Sequence, residues 1–455
     1  MPEQQPLDAI VIGAGISGLC AGWALRKAGK RYKVLEKSKR PGGPIETLHE
    51  DGFVFEKGPN TIQVDGPDLD IFFAELGLKE TLVEANREAN KRFIVRNQIP
   101  QAVPMSPRDI FSTKLFSKRA MLSLLTEPFK KKYSGNKDES LADFVRRRLN
   151  QEFLDYAINP LIGGIYAGDP EELSAKHAFP KIYNLEARFG SLIKGGIGLT
   201  RERKAHGTYY KTKLISFQDG MEALPQTLSE KQSENILFST DITSICKENE
   251  HLWSLNYTHS DGSKHRIDSR KIIVACPASA LLALPFSEDI KRALGVFSEI
   301  PHPPLVALSL GYDRDAIAHP LDGFGMLVPR VENMNILGCI FASSLFPGRS
   351  SGDRVGLSVF IGGARNPELC EMDESELLGL VKADLEKLLG ASGDPIYVRR
   401  TDWPRAIPQY VVGYQKYLQQ FEDLESAHSG LKFIGHLVDG ISVPKCIRSG
   451  LNQSS

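Results

Sequence analysis

Residues 9–25, AIVIGAGISGLCAGWAL, place three glycines, Gly13, Gly15 and Gly18, directly behind a short apolar, β-branched run. The run predicts a buried strand, and the segment after it predicts a helix that packs on a sheet. Glycines at this spacing let the backbone and the helix amino end approach a pyrophosphate, so the segment predicts a dinucleotide cradle. The motif alone leaves a nicotinamide, a flavin and an ordinary glycine turn open.

The next segment narrows the choice of dinucleotide. YKVLEK at 32–37 completes a β-α-β unit, and Glu36 at its end is placed to accept hydrogen bonds from ribose hydroxyls. Arg40 and the doublet Gly42–Gly43 follow at once in KSKRPGGPIET, with Thr47 beyond. This R-x-G-G pattern resembles that of flavoproteins of the amine-oxidase type, in which it approaches FAD. It favours flavin, although Pro44 stands where many relatives carry arginine or a large residue.

Composition excludes several function classes. Lysine plus arginine, 56, equals aspartate plus glutamate, 56, and this balance argues against nucleic-acid binding. Six scattered cysteines form no C-x-x-C pattern, so we expect a reducing compartment and no metal site. The start, MPEQQPLDAI, does not look like a signal peptide, and the apolar stretch at 272–286 is too short and too proline-broken to span a bilayer. A cytoplasmic location is expected.

The remaining pattern predicts an α/β protein: a Rossmann-like dinucleotide-binding domain, an α+β domain with a mixed sheet, and a helical insertion. Strand candidates lie at 271–276, 305–312, 355–363 and 431–436, and 374–390 fits a helix. Residues 100–205 are helix-rich. A capping box at Ser140 and Asp143 predicts one helix whose apolar face continues to Phe153.

Residues 114–150 carry ten lysines or arginines against four acids. Such a run is commonly a solvated face. Its alternative reading is a surface that associates with anionic lipid.

Further segments resemble, in order, one family, the oxygen-dependent protoporphyrinogen oxidases. They are FEKGPNTI (55–62), KRFIVRNQIPQAVPMSP (91–107), GGIYAGDPEELSAKHAFP (163–180), FQDGMEALP (217–225), SSLFPGRSSGDRVGLSVFIGGARNP (343–367), WPRAIPQYVVGY (403–414) and GISVPKCIRSG (440–450).

The resemblance implies an FAD-binding domain from residues 1–88, 208–276 and 430–455, a substrate domain from 89–105 and 277–429, and a helical membrane-associating domain from 106–207. It implies the six-electron oxidation of protoporphyrinogen IX to protoporphyrin IX in haem biosynthesis, with O₂ reduced to H₂O₂. Peripheral contact with a membrane, a homodimer and transfer of product to ferrochelatase are the implied partnerships.

The resemblance also implies site residues. For the substrate, Arg92 would anchor a propionate, Leu327 and Phe346 would line the macrocycle, and Gly164 would offer close backbone. No catalytic side chain is expected, because the flavin itself accepts the hydride. The implied FAD contacts are Gly13, Ala14, Gly15, Ile16, Ser17, Gly18, Glu36, Lys37, Arg40, Gly42, Gly43, Pro44, Gly58, Pro59, Asn60, Thr61, Ile242, Trp403, Gly440, Ile441, Ser442 and Val443.

Alternatives stay open at this point. Coproporphyrinogen III, with four propionates, is a rival substrate. An amine oxidase or a carotenoid desaturase would share the fold, but the YAGDP and FPGR segments argue against both. A non-enzymatic binder like the Rab GDP-dissociation inhibitors would not need Glu36, Arg40 and the glycine doublet. The sequence stops five residues beyond Gly450, which predicts a short last helix and looser FAD binding.

Overall fold

A computed structural model describes residues 5–104, 109, 113–133, 135, 137–205 and 210–454. The strands are β1 Ala9–Ile12, β2 Tyr32–Leu35, β3 Thr47–Glu50, β4 Phe53–Glu56, β5 Ile62–Val64, β6 Leu82–Glu84, β7 Lys91–Arg96, β8 Ile99–Ala102, β9 Lys213–Phe217, β10 Ile236–Leu237, β11 Thr240–Asn249, β12 Leu252–His259, β13 Lys264–Ser269, β14 Ile272–Val274, β15 Leu305–Asp313, β16 Gly323–Leu327, β17 Ile336–Ile340, β18 Arg354–Gly362, β19 Tyr397–Trp403 and β20 Leu431–Phe433.

The α-helices are α1 Ile16–Lys27, α2 Pro67–Leu76, α3 Lys118–Thr126, α4 Leu141–Arg148, α5 Gln151–Phe153, α6 Asn159–Tyr166, α7 Ala175–Ala178, α8 Pro180–Phe189, α9 Leu192–Ala205, α10 Ala223–Glu230, α11 Ala278–Ala283, α12 Glu288–Leu294, α13 Ala342–Leu345, α14 Glu374–Leu389, α15 Gln415–Ala427 and α16 Val443–Leu451.

A parallel five-stranded sheet forms the first layer, in the order β10-β2-β1-β14-β20. Its central strands are buried, as expected for a parallel sheet covered on both faces. Because all five strands run the same way, β1, β2 and β20 end at one edge, where α1 begins. The predicted Rossmann-like α/β fold is confirmed.

Small antiparallel units surround this sheet. They are the three-stranded sheet β11-β12-β13, the three-stranded sheet β5-β9-β6 and the hairpin β3-β4. The hairpin carries the buried rings of Phe53 and Phe55, which pack with Tyr397 of β19.

The second large sheet has seven strands in the order β19-β15-β18-β17-β16-β7-β8. One face is apolar and covered by α14, whose buried Leu377, Val381 and Leu385 pack on Leu308 and Val359. This mixed sheet agrees with the predicted α+β domain.

The helical section corrects one detail of the sequence interpretation. Ser140 does cap α4, because its side chain accepts a hydrogen bond from the Asp143 amide. The helix then stops at Leu149 (φ −112°, ψ −107°), and Asn150 caps a new helix by accepting from the Phe153 amide. The single helix predicted through Phe153 is therefore wrong: the Asn150 side chain competes with the backbone for the amide.

Among the described residues, no helix is both long and apolar enough to cross a membrane. The expected domain boundaries near 105 and 207 lie outside the described residues, so the division into three domains stays a prediction.

Candidate active site

The glycine segment joins β1 to α1 in a tight turn. A Cβ on Gly18 would lie 1.9 Å from the Gly13 carbonyl oxygen, so the helix needs glycine there to approach the turn. At Gly15 the situation is the reverse, because a Cβ would meet no protein atom within 4 Å. Gly15 precedes α1 without any side-chain cap, which leaves the first amides of the helix available to an anion.

Glu36 and Arg40 organise the surrounding loops. The Glu36 carboxylate accepts from the Ala14 amide (2.6 Å) and, through its other oxygen, from the Ser38 amide and hydroxyl (2.8 and 2.7 Å). Arg40 donates to the carbonyl oxygens of Gly43 (2.7 Å) and Ile45 (3.1 Å). The Arg40 side chain thus holds the glycine doublet in place by binding backbone carbonyl oxygens of the same loop.

Contacts bring the two glycine segments together. The Gly42 amide donates to the Ala14 carbonyl oxygen over 2.8 Å, and a Cβ on Gly43 would lie 3.6 Å from the Gly15 Cα. Ala14, Gly15, Gly42 and Gly43 therefore enclose one backbone-lined cradle.

The segment after β4 joins this cradle. A Cβ on Gly58 would lie 2.1 Å from the Pro44 carbonyl oxygen, and the Asn60 side chain turns back to donate to the Gly58 carbonyl oxygen. Trp403, at the end of β19, donates its indole N–H to the Lys57 carbonyl oxygen (3.3 Å). Pro59 and Thr61 lie within the same stretch and are partly buried.

Ile242, the predicted contact on the adenine side of FAD, lies near the beginning of β11. The Thr240 amide donates to the Glu36 carbonyl oxygen, which brings Ile242, two residues on, close to the end of β2, where Glu36 lies. Lys37 beside it forms an exposed ion pair with Asp241 (3.3 Å).

The last helix packs directly on the first. Gly450 of α16 lies so close to α1 that a Cβ would be 2.2 Å from the Ser17 carbonyl oxygen. Ser442 caps α16, and the turn before it, Gly440–Ile441, has Gly440 at φ +123°. Gly440, Ile441, Ser442 and Val443 thus form the amino end of a nine-residue helix. The looser FAD binding expected from its length stays a prediction.

The residues present fit FAD. An acceptor for ribose hydroxyls, a backbone cradle with space where a Cβ would stand, and two helix amino ends occur along one edge of the parallel sheet.

The face of the seven-stranded sheet opposite α14 carries an apolar patch, of which the sequence analysis predicted only Leu327. Strand register puts Leu327 of β16, Gly338 of β17 and Phe360 of β18 side by side, with Ile340 one pair further along. Leu327, Ile340 and Phe360 are half-buried, whereas their neighbours on the opposite face are fully buried. The hairpin β3-β4 covers only the other end of this face, at Gly311 and Gly356. We refer to Leu327, Ile340 and Phe360 as the apolar wall.

Gly164 lies against the apolar wall. It occupies the last turn of α6, and a Cβ there would lie 2.5 Å from a Leu327 methyl carbon. Ala167 ends the helix in the left-handed conformation (φ +48°). The carbonyl of Gly164 is among those that a helix leaves without an intrahelical partner.

Arg92 stands at the edge of the same face. It pairs in register with Gly325, which pairs with Ile340. Its guanidinium lies 5.8 Å from the Phe324 ring centroid and is exposed, and within the described residues it has no acidic partner. The adjacent Lys91 is paired with Asp322.

Phe346 has a different setting. Its ring is only 3% exposed and lies beneath the guanidinium of Arg349, 5.6 Å away. Arg349 is itself buried and lies 3.3 Å from Glu56, whose pKa burial raises above its ordinary value despite that contact. A direct role for Phe346 in lining the macrocycle stays a prediction.

A small cavity links the two halves of the site. We refer to residues 57–61, the segment after β4, as the cofactor loop. Asn60 of this loop and Ile340 of the apolar wall both line the cavity, together with Phe346 and Arg349. A larger surface depression of about 370 Å³, lined by Glu250, His251, Arg270 and Ser429, lies at the other edge of the parallel sheet, where β14 and β20 begin.

Register and exposure, rather than motif, reveal Ile340 and Phe360. Phe360 lies inside a segment that resembles the family, and Ile340 lies three residues before that segment. The sequence could not indicate which residues of β16, β17 and β18 face the same side, because the loops between the strands leave their pairing register undefined.

Comparisons with known proteins agree with this geometry. Residues 16–455 match the model of the family described as flavin containing amine oxidoreductase. The chain is 32% identical to protoporphyrinogen oxidase 2, chloroplastic/mitochondrial, of Arabidopsis thaliana, over 97% of this chain and 91% of the relative. It is 27% identical to coproporphyrinogen III oxidase of Bacillus subtilis, over 97% and 96%.

A solved structure shares the fold. A crystal structure described as that of a candidate protoporphyrinogen oxidase from an Exiguobacterium species superposes with a TM-score of 0.79 at 23% identity, covering 98% of this chain and 97% of that one. Putrescine oxidase gives a TM-score of 0.71 at 18% identity. The chain belongs to the flavin-containing amine oxidoreductases and, within them, to the protoporphyrinogen oxidase family, and it is an FAD-dependent oxidoreductase.

Proposed function

We propose that this protein oxidises protoporphyrinogen IX to protoporphyrin IX, with O₂ as the electron acceptor and H₂O₂ as the second product. One observation carries the proposal. Ile340 of the apolar wall and Asn60 of the cofactor loop line the same cavity, so a macrocycle on the wall would lie beside the flavin.

The chain's own residues bind and orient the substrate. Leu327, Ile340 and Phe360 offer a flat apolar surface to the macrocycle and exclude water from it. Arg92, at the edge of that surface, would hold a propionate with charge-assisted hydrogen bonds. The Gly164 carbonyl would accept a pyrrole N–H from the side of α6.

The bound flavin supplies the redox chemistry by accepting hydride from the substrate. The side chains of the wall, Leu327, Ile340 and Phe360, cannot transfer protons. Substrate position thus decides which carbon of the macrocycle is oxidised.

The charges around the wall favour protoporphyrinogen IX over coproporphyrinogen III. Arg96 is paired with Glu152 (2.6 Å) and Arg330 with Asp169 (2.7 Å), so neither is free to bind a carboxylate. Arg92 alone is both exposed and without an acidic partner among these three arginines. One such cation suits a substrate with its two propionates on one edge, whereas four propionates require further counter-charges.

We also propose that the helical section contacts a membrane. Leu122, Leu125 and Phe129 are 62%, 69% and 84% exposed on α3 and the turn after it. Lys194 lies 5.9 Å from the Phe129 ring, and Lys118 and Arg119 are exposed on the same helix. Apolar side chains bordered by cations are typical of a peripheral membrane site.

The basic run itself contributes less than its sequence suggests. Arg146, Arg147 and Arg148 bind acidic side chains, and Lys130 and Lys132 donate to backbone carbonyls. Half of the ten cations are therefore engaged within the protein. Homodimer formation and transfer to ferrochelatase stay predictions from the resemblance.

The stoichiometry of the reaction tests the main proposal. The FAD-loaded protein is mixed with protoporphyrinogen IX, and porphyrin fluorescence, O₂ uptake and H₂O₂ are followed together. We expect three O₂ consumed and three H₂O₂ formed for each protoporphyrin IX, because six electrons leave in pairs. Porphyrin formation at the rate of spontaneous autoxidation, unaffected by the protein, would contradict the proposal.

A further inference from the structure

A buried guanidinium lies next to the cofactor loop with one end unused. Arg349 is 4% exposed. Its Nη2 donates to the Ser216 hydroxyl (2.6 Å) and lies 3.3 Å from Glu56, but its Nη1 has no hydrogen-bond partner among the described residues. A buried, unsatisfied donor on a charged group is costly, so this nitrogen calls for an acceptor.

Glu56 does not fill that need. Its carboxylate accepts from the Thr47 hydroxyl (2.7 Å) and from the Met221 amide (2.9 Å) as well as facing Nη2. Its negative charge is therefore shared among several donors on one side of the guanidinium, while Nη1 points elsewhere.

Arg349 lines the small cavity that links Asn60 to Ile340. The cavity measures about 10 Å³, enough for roughly one water-sized molecule. Five of its eight lining residues are apolar: Val54, Ile340, Ala342, Leu345 and Phe346. The other three, Glu56, Asn60 and Arg349, are polar. The Glu56 carboxylate accepts from Thr47 and Met221 and the Asn60 amide donates to the Gly58 carbonyl, whereas Arg349 Nη1 is a lining donor without a partner among the described residues.

We propose that this cavity is the site at which dioxygen is held and reduced, with Arg349 as the group that stabilises the negative charge developing on it. The inference rests on the proposed function for the use of O₂. Dioxygen is small and neutral, and five of the eight lining residues offer it apolar contacts. Its one-electron reduction gives an anion, and a fixed cation in a low-dielectric site stabilises such an anion strongly.

In the proposed step, two electrons pass from the reduced cofactor to one molecule of O₂. Two protons, from the reduced cofactor and from solvent, complete one H₂O₂. The first electron produces superoxide, and Arg349 Nη1 donates to it without losing its proton.

Reoxidation of the dithionite-reduced protein tests this assignment without any porphyrinogen. Wild type, Arg349→Met and Arg349→Lys are loaded with FAD, reduced without air and mixed with buffers of known O₂ content while the oxidised-flavin absorbance is followed. We expect the second-order rate constant to fall by about tenfold or more in R349M. R349K, which keeps the charge, should recover a large part of the loss.

A matched control is Arg365→Met. Arg365 also has a buried Nη1 without a partner among the described residues, but it lies near Gly163 and Val328, outside this cavity. R365M should reoxidise at the wild-type rate. Equal slowing of R349M and R365M would overturn the assignment.

A second variant keeps the proposal testable where R349M does not fold. Ala342→Leu fills the cavity and leaves the guanidinium in place. A342L should therefore reoxidise more slowly than the wild type. Unchanged reoxidation of A342L would overturn the proposal.

The outcomes separate this inference from the function it rests on. If R349M is reoxidised at the wild-type rate, the proposed O₂ site is wrong and the proposed oxidation of porphyrinogen is unaffected. Failure to oxidise porphyrinogen, with slow reoxidation of R349M, would remove the proposed substrate and keep the O₂ site.

Discussion

Two arginines of this protein illustrate how environment decides the role of one residue type. Arg92 is exposed, has no acidic partner among the described residues and lies at the edge of an apolar surface, so its charge is available to a ligand. Arg40 lies beside the cradle, but its guanidinium is occupied by carbonyls of its own loop and by the Glu46 carboxylate (2.6 Å). We therefore propose a ligand-binding role for Arg92 and a structural role for Arg40.

Arg92→Ala should raise the KM for protoporphyrinogen IX by about 10- to 100-fold with a smaller change in kcat, because a hydrogen bond to a charged group contributes about 1.5–3 kcal/mol. Steady-state porphyrin fluorescence at varied substrate measures both constants. Lys91→Ala is the matched control, since Lys91 is already paired with Asp322 and should leave KM unchanged. An unaltered KM in R92A would remove Arg92 from the substrate site.

Gly15 and Gly18 should respond differently to one added methyl group. Gly15 has φ −67° and open space at its Cβ position, so Gly15→Ala should fold with an unchanged apoprotein Tm and bind FAD at least about tenfold more weakly. Gly18→Ala should lower the Tm, because its Cβ would collide with the Gly13 carbonyl. Flavin fluorescence titration and thermal unfolding measure these effects. Full FAD affinity in G15A would show that the cradle is not the pyrophosphate site.

Some residues of the candidate site could be predicted from the sequence, and others could not. Glu36, Gly15 and Arg92 are recognisable because each belongs to a local motif. Ile340 and Phe360 belong to the apolar wall only through strand register, which depends on how β16, β17 and β18 pair. Phe346 stands in the FPGR segment that resembles the family, yet its ring packs under Arg349. A motif identifies a segment, and packing decides which side chain of that segment faces the site.

At the scale of single elements, the helical section is fixed by buried charge. Arg148 and Glu127 are fully buried and paired, and Glu127 also accepts from the Ser191 hydroxyl (2.5 Å) and the Leu192 amide (2.9 Å). The sequence presents the same arginines as a basic run. Each of Arg146, Arg147 and Arg148 has an acidic partner more than twenty residues away along the chain, Glu171, Glu186 and Glu127 respectively, so composition alone could not distinguish a solvated face from an internal network.

This network predicts a loss of stability in acid. Burial opposes ionisation of Glu127, but its hydrogen bonds from Ser191, Leu192 and Arg148 outweigh that effect and hold its pKa below 4.5. A lowered folded-state pKa contributes stability above the unfolded value, and that stability is lost as pH falls through the folded value. The free energy of unfolding should therefore decline below about pH 4.5.

Glu127→Gln should be about 3–5 kcal/mol less stable at pH 7, because it removes the nearer counter-charge of the buried Arg148 and leaves Glu186 at 3.4 Å, and its stability should depend less on pH below 4.5. Denaturant unfolding at several pH values measures both effects. Glu171→Gln breaks the exposed pair with Arg146 and should cost under about 1 kcal/mol. Equal losses in E127Q and E171Q would refute the role given to burial.

The exposed apolar residues of the same section predict membrane contact. Replacing Leu125 and Phe129 together by Asp should lower binding to vesicles of phosphatidylcholine and phosphatidylserine by at least about tenfold, because each apolar side chain contributes about 1.5–3 kcal/mol when buried. Vesicle co-sedimentation measures the binding. Ile396→Asp, at an exposed apolar position (47%) outside the helical section, should have no effect. Unchanged binding of the double variant would place the membrane contact elsewhere.

At the scale of the whole molecule, function arises where two sheets meet. The parallel sheet presents its carboxyl edge with the FAD cradle, and the seven-stranded sheet presents the uncovered end of one face. The loop after β4 touches both, through Pro44 on one side and the cavity shared with Ile340 on the other. The sequence predicts both sheets from local pattern, whereas their juxtaposition depends on contacts between segments hundreds of residues apart.

We propose that this arrangement of the two sheets selects a dipropionate porphyrinogen for oxidation by FAD. Comparison of kcat/KM for protoporphyrinogen IX and coproporphyrinogen III, offered separately to the FAD-loaded protein under air, tests it most directly. We predict at least about a tenfold higher value for protoporphyrinogen IX, since Arg92 is exposed and lacks an acidic partner among the described residues, whereas Arg96 and Arg330 are paired with Glu152 and Asp169. Equal values, or a preference for coproporphyrinogen III, would contradict the account.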